Sequence, residues 1–293
     1  MKELLRQLYG VKYTDVKLHS QRHFNDIFQF QINGCPKVIK MSRNRFLKEE
    51  QIGSDSLHKE AHILRKLEAT DLPVPKVECV GYLGNQEYLI MQQMKGVPIG
   101  SVFWDIEPSQ RARLITELLQ YLKQVHSMKV VDFFPDEKKS VADSLLAKLH
   151  EYQYERPNSS YRKAINYLIH SMSCVFPNPY EPDSLLHSDL GPQANNILVE
   201  KHKGNWFISA ILDWERCRFG DPVEELCRLE FELAKSWMHQ SLCSTPYVLN
   251  DLLNLDLLKE YAFVNVSEDI LDWYRQYTTI LPTRWYLKSY KNY

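Results

Sequence analysis

The chain has 293 residues, of which 44% are hydrophobic and 25% charged, with a formal net charge of −1. That length accommodates one large domain or two unequal lobes with an ample core, and the near-neutral charge gives no reason to expect a nucleic-acid partner. No apolar run approaches the ~20 residues needed to span a bilayer, Lys2, Glu3 and Arg6 interrupt the start in a way no secretory signal does, and the six scattered cysteines lack a C-x-x-C pair, which suits reduced thiols in a cytoplasmic protein.

The first part of the chain reads as strands. A first strand leads into Ser20–Asn25, and Phe28-Gln29-Phe30-Gln31-Ile32 then alternates apolar and polar residues at the period of a strand. Asn33-Gly34 is a hairpin turn, and Lys37–Met41 is the return strand. A helix is predicted over Leu57–Leu67, with Ala61, Leu64 and Leu67 on one face, and Leu72-Pro73-Val74-Pro75 ends it. Two more strands follow at Val77–Tyr82 and Tyr88–Gln92, joined at Gly84-Asn85.

After Gly96 the pattern becomes helical. Leu114, Leu118, Leu122 and Val125 recur at helical spacing within Ser109–Met128, and further helices are predicted over Val141–Tyr154 and Tyr161–Met172. A loop at Asn178–Pro182 precedes two short strands, Asn196–Glu200 and Phe207–Leu212, around the Lys203-Gly204-Asn205 turn. The last 70 residues or so read as helices.

Three motifs in order carry chemistry: Leu186-His187-Ser188-Asp189-Leu190, then Asn195-Asn196-Ile197-Leu198, then Ile211-Leu212-Asp213-Trp214-Glu215. Phosphoryl transfer from a nucleotide requires positioning and charge neutralisation more than covalent help. An Asp on a fixed loop orients an acceptor hydroxyl and takes its proton. An Asn amide oxygen and a second Asp at a strand end supply the oxygen ligands that Mg²⁺ prefers. His187 reads as a structural residue that hydrogen-bonds the loop.

On these residues the chain resembles the aminoglycoside phosphotransferase and choline kinase-like family, which has a protein-kinase-like fold. The likeness runs over roughly Leu18 to Trp237 and includes Gly220-Asp221-Pro222. It implies an α+β fold of two lobes: a small antiparallel β-sheet lobe with one helix over residues 1–94, a hinge at about 92–96, and a larger, mainly helical catalytic and acceptor-binding lobe over 95–293. It implies Asp189 as catalytic base and Asn196 and Asp213 as metal ligands. The family places the Asn five residues after the Asp; here position 194 is Ala, so Asn196, which directly precedes Ile-Leu, is preferred and Asn195 is the alternative. Ser188 stands where Gly is usual, which asks only for a different backbone angle.

The resemblance also implies that Lys40 contacts the nucleotide phosphates and that Glu60, rather than Glu50, pairs with it. Ser20 to Asn25 forms the phosphate-covering loop, without glycine. Gln92 and Met94 present backbone groups to the base edge of ATP or GTP. Asp221, Pro222 and Glu224 read as a helix start with reciprocal capping.

The charge distribution agrees with this division. Residues 1–66 contain 13 Lys/Arg against 7 Asp/Glu, and residues 181–235 contain 6 against 11. A basic front end suits nucleotide phosphates, and an acidic later segment suits metal or a cationic acceptor. Glu215, Glu225 and Trp214 are candidate acceptor contacts, although Glu225, Glu230 and Glu232 are also expected to face solvent. Trp237, Trp273, Trp285, Tyr286 and Tyr290 are further aromatics that suit an amine-bearing acceptor. The expected activity is Mg²⁺-dependent transfer of a γ-phosphate to a hydroxyl of a small acceptor, aminoglycoside-like or else choline- or ethanolamine-like. A non-catalytic nucleotide-binding protein is the competing reading. The expected partners are that acceptor and a nucleoside triphosphate, with no nucleic acid and no membrane, in a cytoplasmic monomer or homodimer.

Overall fold

The computed structural model describes residues 1–10, 13–21, 25–43, 56–129, 133, 140–155, 159–176, 184–191, 195–241 and 266–280. The chain divides into two compact units, Met1–Val102 with Ala194–Cys217, and Phe103–Gln193 with Arg218–Tyr293. Among the described residues no helix is long and apolar enough to cross a membrane.

The first unit opens with a short helix, α1 (Lys2–Tyr9), followed by β1 (Tyr13–Gln21), β2 (Asn25–Ile32), β3 (Cys35–Ser42), α2 (Leu57–Leu67), β4 (Val77–Leu83) and β5 (Gln86–Gln92). The strands make an antiparallel sheet in the order β1-β2-β3-β5-β4. Asn33 (φ 50°) and Gly34 (φ 77°) turn β2 into β3, the paired positive φ values that let a two-residue hairpin follow the strand twist. Phe30, Ile39, Met41, Tyr88 and Ile90 form the buried core of the sheet with Leu4 and Leu5 of α1. Side chains alternate along a strand, so Lys40 points to the face opposite Ile39 and Met41.

The bounds of α2 coincide with those predicted from its apolar spacing. The Ser56 hydroxyl accepts from the Lys59 N–H at 3.1 Å and caps its start. The unit is completed by β6 (Val97–Pro98), β8 (Ile197–His202) and β9 (Asn205–Ile211), in the order β6-β8-β9. Gly96 (φ 112°) precedes β6, and a Cβ there would lie 2.9 Å from the Val199 carbonyl oxygen and closer still to the Ser209 hydroxyl. Only glycine lets the chain pass at that distance.

The second unit contains α3 (Pro108–His126), α4 (Val141–Glu155), α5 (Ser159–Val175), β7 (Ser184–Leu186), β10 (Arg218–Gly220), α6 (Pro222–Ser241) and α7 (Glu268–Ile280). The predicted apolar face of α3 is buried at Leu114, Leu118, Leu122 and Val125. Leu145, Leu149, Ile165, Leu168, Val223, Trp273, Tyr274 and Tyr277 form one core from α4, α5, α6 and α7. Trp273 is part of this core, where its indole N–H donates to the Leu168 carbonyl at 3.1 Å, so it is not available to an acceptor. The Trp237 side chain and residues 178–182, 285, 286 and 290 lie outside the described residues.

Two short strands, β7 and β10, pair antiparallel, with Leu186 opposite Arg218. Asp221 caps α6, accepting from the Val223 N–H at 2.9 Å. Glu224 pairs with the Arg218 guanidinium, a charge-assisted contact.

Candidate active site

In the first unit, Lys40 of β3 gathers three carboxylates. Its Nζ lies 2.9 and 2.8 Å from the two Glu60 oxygens, 2.6 Å from Asp213 Oδ1 and 3.8 Å from Glu215 Oε2. β3 delivers the lysine, α2 the first glutamate, and the chain after β9 delivers Asp213 and Glu215. Burial works against the charge on Lys40, but Asp213, Glu60 and Glu215 outweigh it and raise its pKa. Burial together with Asp213 and Glu60 pushes Glu215 up to about 7, although Lys40 opposes the shift. Asn25, the first residue of β2, donates to Glu215 Oε2 at 2.7 Å.

Asp213 has a left-handed backbone (φ 69°), which ends β9 and starts a single 3₁₀ turn at Trp214–Arg216. Its side chain is 30% exposed, whereas those of Lys40 and Glu60 are 7% and 1% exposed. Asn196 is buried, and its backbone carbonyl accepts from Leu212 N–H at 2.7 Å, beside Asp213 in the chain. Asn195 is exposed. The donor chemistry fits a hard divalent cation: Glu60, Asp213 and Glu215 place carboxylate oxygens within 4.8 Å of one another with Lys40 as their close cation. Asp213, the most open of the three, and Asn196 are the oxygen donors that would hold it.

Ser20 lies in β1 paired with Ile27, at an irregularity in the register; residues 22–24 of the covering loop lie outside the described residues. Gln92 ends β5, with its N–H bonded to the Lys76 carbonyl at 2.9 Å, and Met94 follows it, partly buried. Trp214 is fully enclosed and its indole N–H donates to the Ile211 carbonyl at 3.0 Å. Glu50 lies outside the described residues.

In the second unit, Asp189 sits on the loop after β7 with a side chain 33% exposed. Glu225 of α6 holds that loop from below. Its carboxylate accepts from the His187 N–H at 3.1 Å and the Ser188 N–H at 2.6 Å, and meets His126 Nε2 at 2.8 Å. Burial alone would raise the pKa of Glu225; the bond to His126 and those from the loop reverse the effect and hold it low. Glu225 therefore faces neither solvent nor an acceptor. His187 is buried, and its Nδ1 accepts from the Asp189 N–H at 3.3 Å. Ser188 has a left-handed backbone, φ 67°, of the kind that favours glycine, and its buried hydroxyl has no hydrogen-bond partner.

Sequence reasoning missed the part played by Glu225, its partner His126, and Arg228, whose Nη2 is 3.7 Å from Asp189 Oδ1. The one signal for Glu225 is its place one turn into a capped helix beginning Asp221-Pro222, and from sequence solvent is its expected setting.

The model of the phosphotransferase enzyme family matches residues 38–244, which include Lys40, Glu60, Asp189, Asn196, Asp213 and Glu225. The chain belongs to this family. Among solved structures, this phosphotransferase is similar to a thermostable mutant of aminoglycoside phosphotransferase APH(4)-Ia in its apo form. The identity is 18% and the TM-score 0.61, over 97% of this chain and 99% of that one. A ternary complex of the same enzyme with ADP and hygromycin B matches at 18% identity and TM-score 0.62, over 96% of this chain and 97% of that one. APH(3'')-Id from Streptomyces rimosus, in complex with ADP and streptomycin, matches at 13% identity and TM-score 0.61, over 95% and 96%. At these identities the likeness is one of fold. No curated protein sequence matches the chain.

Proposed function

We propose that this phosphotransferase transfers the γ-phosphoryl group of ATP or GTP to a hydroxyl of a small-molecule acceptor, with Mg²⁺. The observation that carries the reading is Lys40 held between Glu60 and Asp213 at 2.8 and 2.6 Å. A lysine fixed at a strand centre by a helix carboxylate is placed to take nucleotide phosphates, and the second carboxylate is the one open to a metal.

Residues 1–94 take the nucleotide in this reading. Lys40 binds the phosphates, Glu60 orients Lys40, Ser20 and Asn25 flank the covering loop, and the backbone at Gln92 and Met94 meets the base. Residues 95–293 supply the rest: Asn196 and Asp213 ligate the metal, and Asp189 accepts the proton of the acceptor hydroxyl as it attacks. The chemistry of a bound Mg²⁺ is neutralisation of phosphate charge. Asp189 is accessible, and its loop is fixed through Glu225, so the base is held without help from the acceptor.

The complexes of relatives with hygromycin B and streptomycin support antibiotics of that kind as the first acceptors to test, with choline and ethanolamine as a second group. Calorimetry with Mg-AMP-PNP tests the nucleotide half. Asp213→Ala and Asn196→Ala are expected to lose most of the affinity, and Asn195→Ala to keep it. Equal affinity in wild type and Asp213→Ala contradicts the metal assignment.

A further inference from the structure

Asn25 and Glu215 stand 190 residues apart in the chain, yet the Asn25 amide donates to Glu215 Oε2 at 2.7 Å with both residues buried. Ile27 of β2 is the register partner of Lys40 in β3. Alternate residues share a strand face, so Asn25 lies on the same face of the sheet as Lys40. Asp26 takes the other face, where its Oδ1 accepts from Arg43 Nε at 2.6 Å. The first two residues of β2, which leads out of the covering loop, are thus each held by a side-chain bond.

Glu215 belongs to the 3₁₀ turn Trp214–Arg216, directly after Asp213. The turn is fixed from within. The Trp214 indole donates to the Ile211 carbonyl at 3.0 Å, and the Cys217 N–H to the Trp214 carbonyl at 3.2 Å. α2 packs against it, and the bond to Asn25 ties it to the strand end as well. Lys40 Nζ is 3.8 Å from the same Glu215 oxygen, outside hydrogen-bond distance, but 2.8 and 2.6 Å from Glu60 and Asp213. A buried carboxylate oxygen requires a donor. Asn25 supplies one without charge, so Oε2 is satisfied without a second cation beside the carboxylates that would hold a metal.

We infer that Asn25 and Glu215 are a positioning pair for the phosphoryl donor: their hydrogen bond sets the spacing between the strand end beyond the covering loop and the turn that carries Asp213. It also keeps Glu215 off Lys40, whose ammonium is then shared by Glu60 and the nucleotide phosphates. Without the Asn25 amide, Oε2 turns to Lys40 as the nearest donor and draws the lysine away from those phosphates. In this role Glu215 touches neither acceptor nor metal, in keeping with a side chain 8% exposed against 30% for Asp213.

This inference rests on the phosphotransfer reading and deepens its nucleotide half. Mg-AMP-PNP and Mg-GMP-PNP are titrated calorimetrically into the full chain, with melting temperature followed in parallel. Asn25→Ala is expected to weaken binding of the nucleotide by a factor on the order of ten. Glu215→Gln is expected to lose less, because the Gln amide oxygen still accepts from Asn25. Asn25→Asp sets a carboxylate against a carboxylate and is expected to lose the most. Adding Glu215→Gln to Asn25→Asp is expected to recover most of that loss, because the new amide donates to the new carboxylate and the bond is rebuilt in reverse. This exchanged pair conserves the charge and the hydrogen bond, so it carries the test even where Asn25→Ala does not fold.

Lower melting temperatures with wild-type nucleotide affinity would make the pair a structural brace; that result overturns the inference and leaves the kinase reading standing. Failure of the exchanged pair to recover affinity overturns it as well. With Glu215→Gln alone as damaging as Asp213→Ala, that failure makes Glu215 a metal ligand; with Glu215→Gln harmless, it makes Asn25 a direct nucleotide contact. Binding of neither nucleotide to the wild type removes the phosphotransfer reading and the pair with it.

Discussion

Glu225 accepts a 2.6 Å hydrogen bond from the backbone N–H of Ser188, the residue immediately before Asp189. With the bonds to His187 N–H and His126, this makes one buried carboxylate the anchor of the loop that carries Asp189. A carboxylate with three donors is the right species for that place, because both oxygens accept and neither donates.

Glu225→Gln keeps the shape but turns an NH₂ group toward those donors. The loss in stability is expected to be on the order of 3 kcal/mol, as for a broken buried charge-assisted network. Turnover is expected to fall more than the acceptor KM rises, since Asp189 is misplaced rather than removed. Urea denaturation and steady-state kinetics check both. The pH dependence follows from the lowered pKa of Glu225. A group with a depressed folded pKa contributes stability above its unfolded value, ~4.3 for Glu, which is lost as pH falls through the folded value. The wild type is therefore expected to lose stability at acid pH more steeply than Glu225→Gln.

Ser188 occupies the left-handed region at φ 67° with its hydroxyl buried and unpartnered. Ser188→Gly removes a strained Cβ and an unsatisfied oxygen while leaving the N–H to Glu225 intact. The expected gain is about 1 kcal/mol, read as a higher denaturation midpoint with unchanged slope.

Lys148, pushed down to about 8 by burial and Arg218, gives a signature on the alkaline side. Its folded pKa lies below its unfolded value, ~10.4, so the unfolded chain binds the extra proton between the two and stability rises with pH across that window. Melting temperature is expected to reflect this rise in wild type, and Lys148→Met to flatten it.

What was legible in the sequence was what short-range pattern encodes. The apolar spacing of Ala61, Leu64 and Leu67 placed α2, and Asn33-Gly34 placed its hairpin. The order of motifs through Asp189, Asn196 and Asp213 carried the resemblance to the phosphotransferase family, whose model matches residues 38–244. What stayed hidden depends on partners distant in the chain. The donors to Glu225 cannot be read from α6 alone, since a glutamate on a helix is as well suited to solvent. The pairing of Arg218 with Glu224 likewise depends on tertiary approach. β7 and β10, three residues each, are too short to show a period. The left-handed angle of Ser188 goes with an N–H bond to Glu225, 37 residues away in the chain.

In the proposed reaction Asp189 is the base for phosphoryl transfer to an acceptor hydroxyl. The most direct measurement is single-turnover transfer of labelled γ-phosphate from Mg-ATP and Mg-GTP, in wild type and Asp189→Asn, to an acceptor panel. The panel comprises hygromycin B, streptomycin, choline and ethanolamine. The wild type is expected to transfer to at least one acceptor, and Asp189→Asn to be slower by a factor on the order of 10²–10⁴ with Mg-nucleotide affinity retained. Wild-type transfer rates in Asp189→Asn, or tight Mg-nucleotide binding with no transfer to any acceptor, would contradict it.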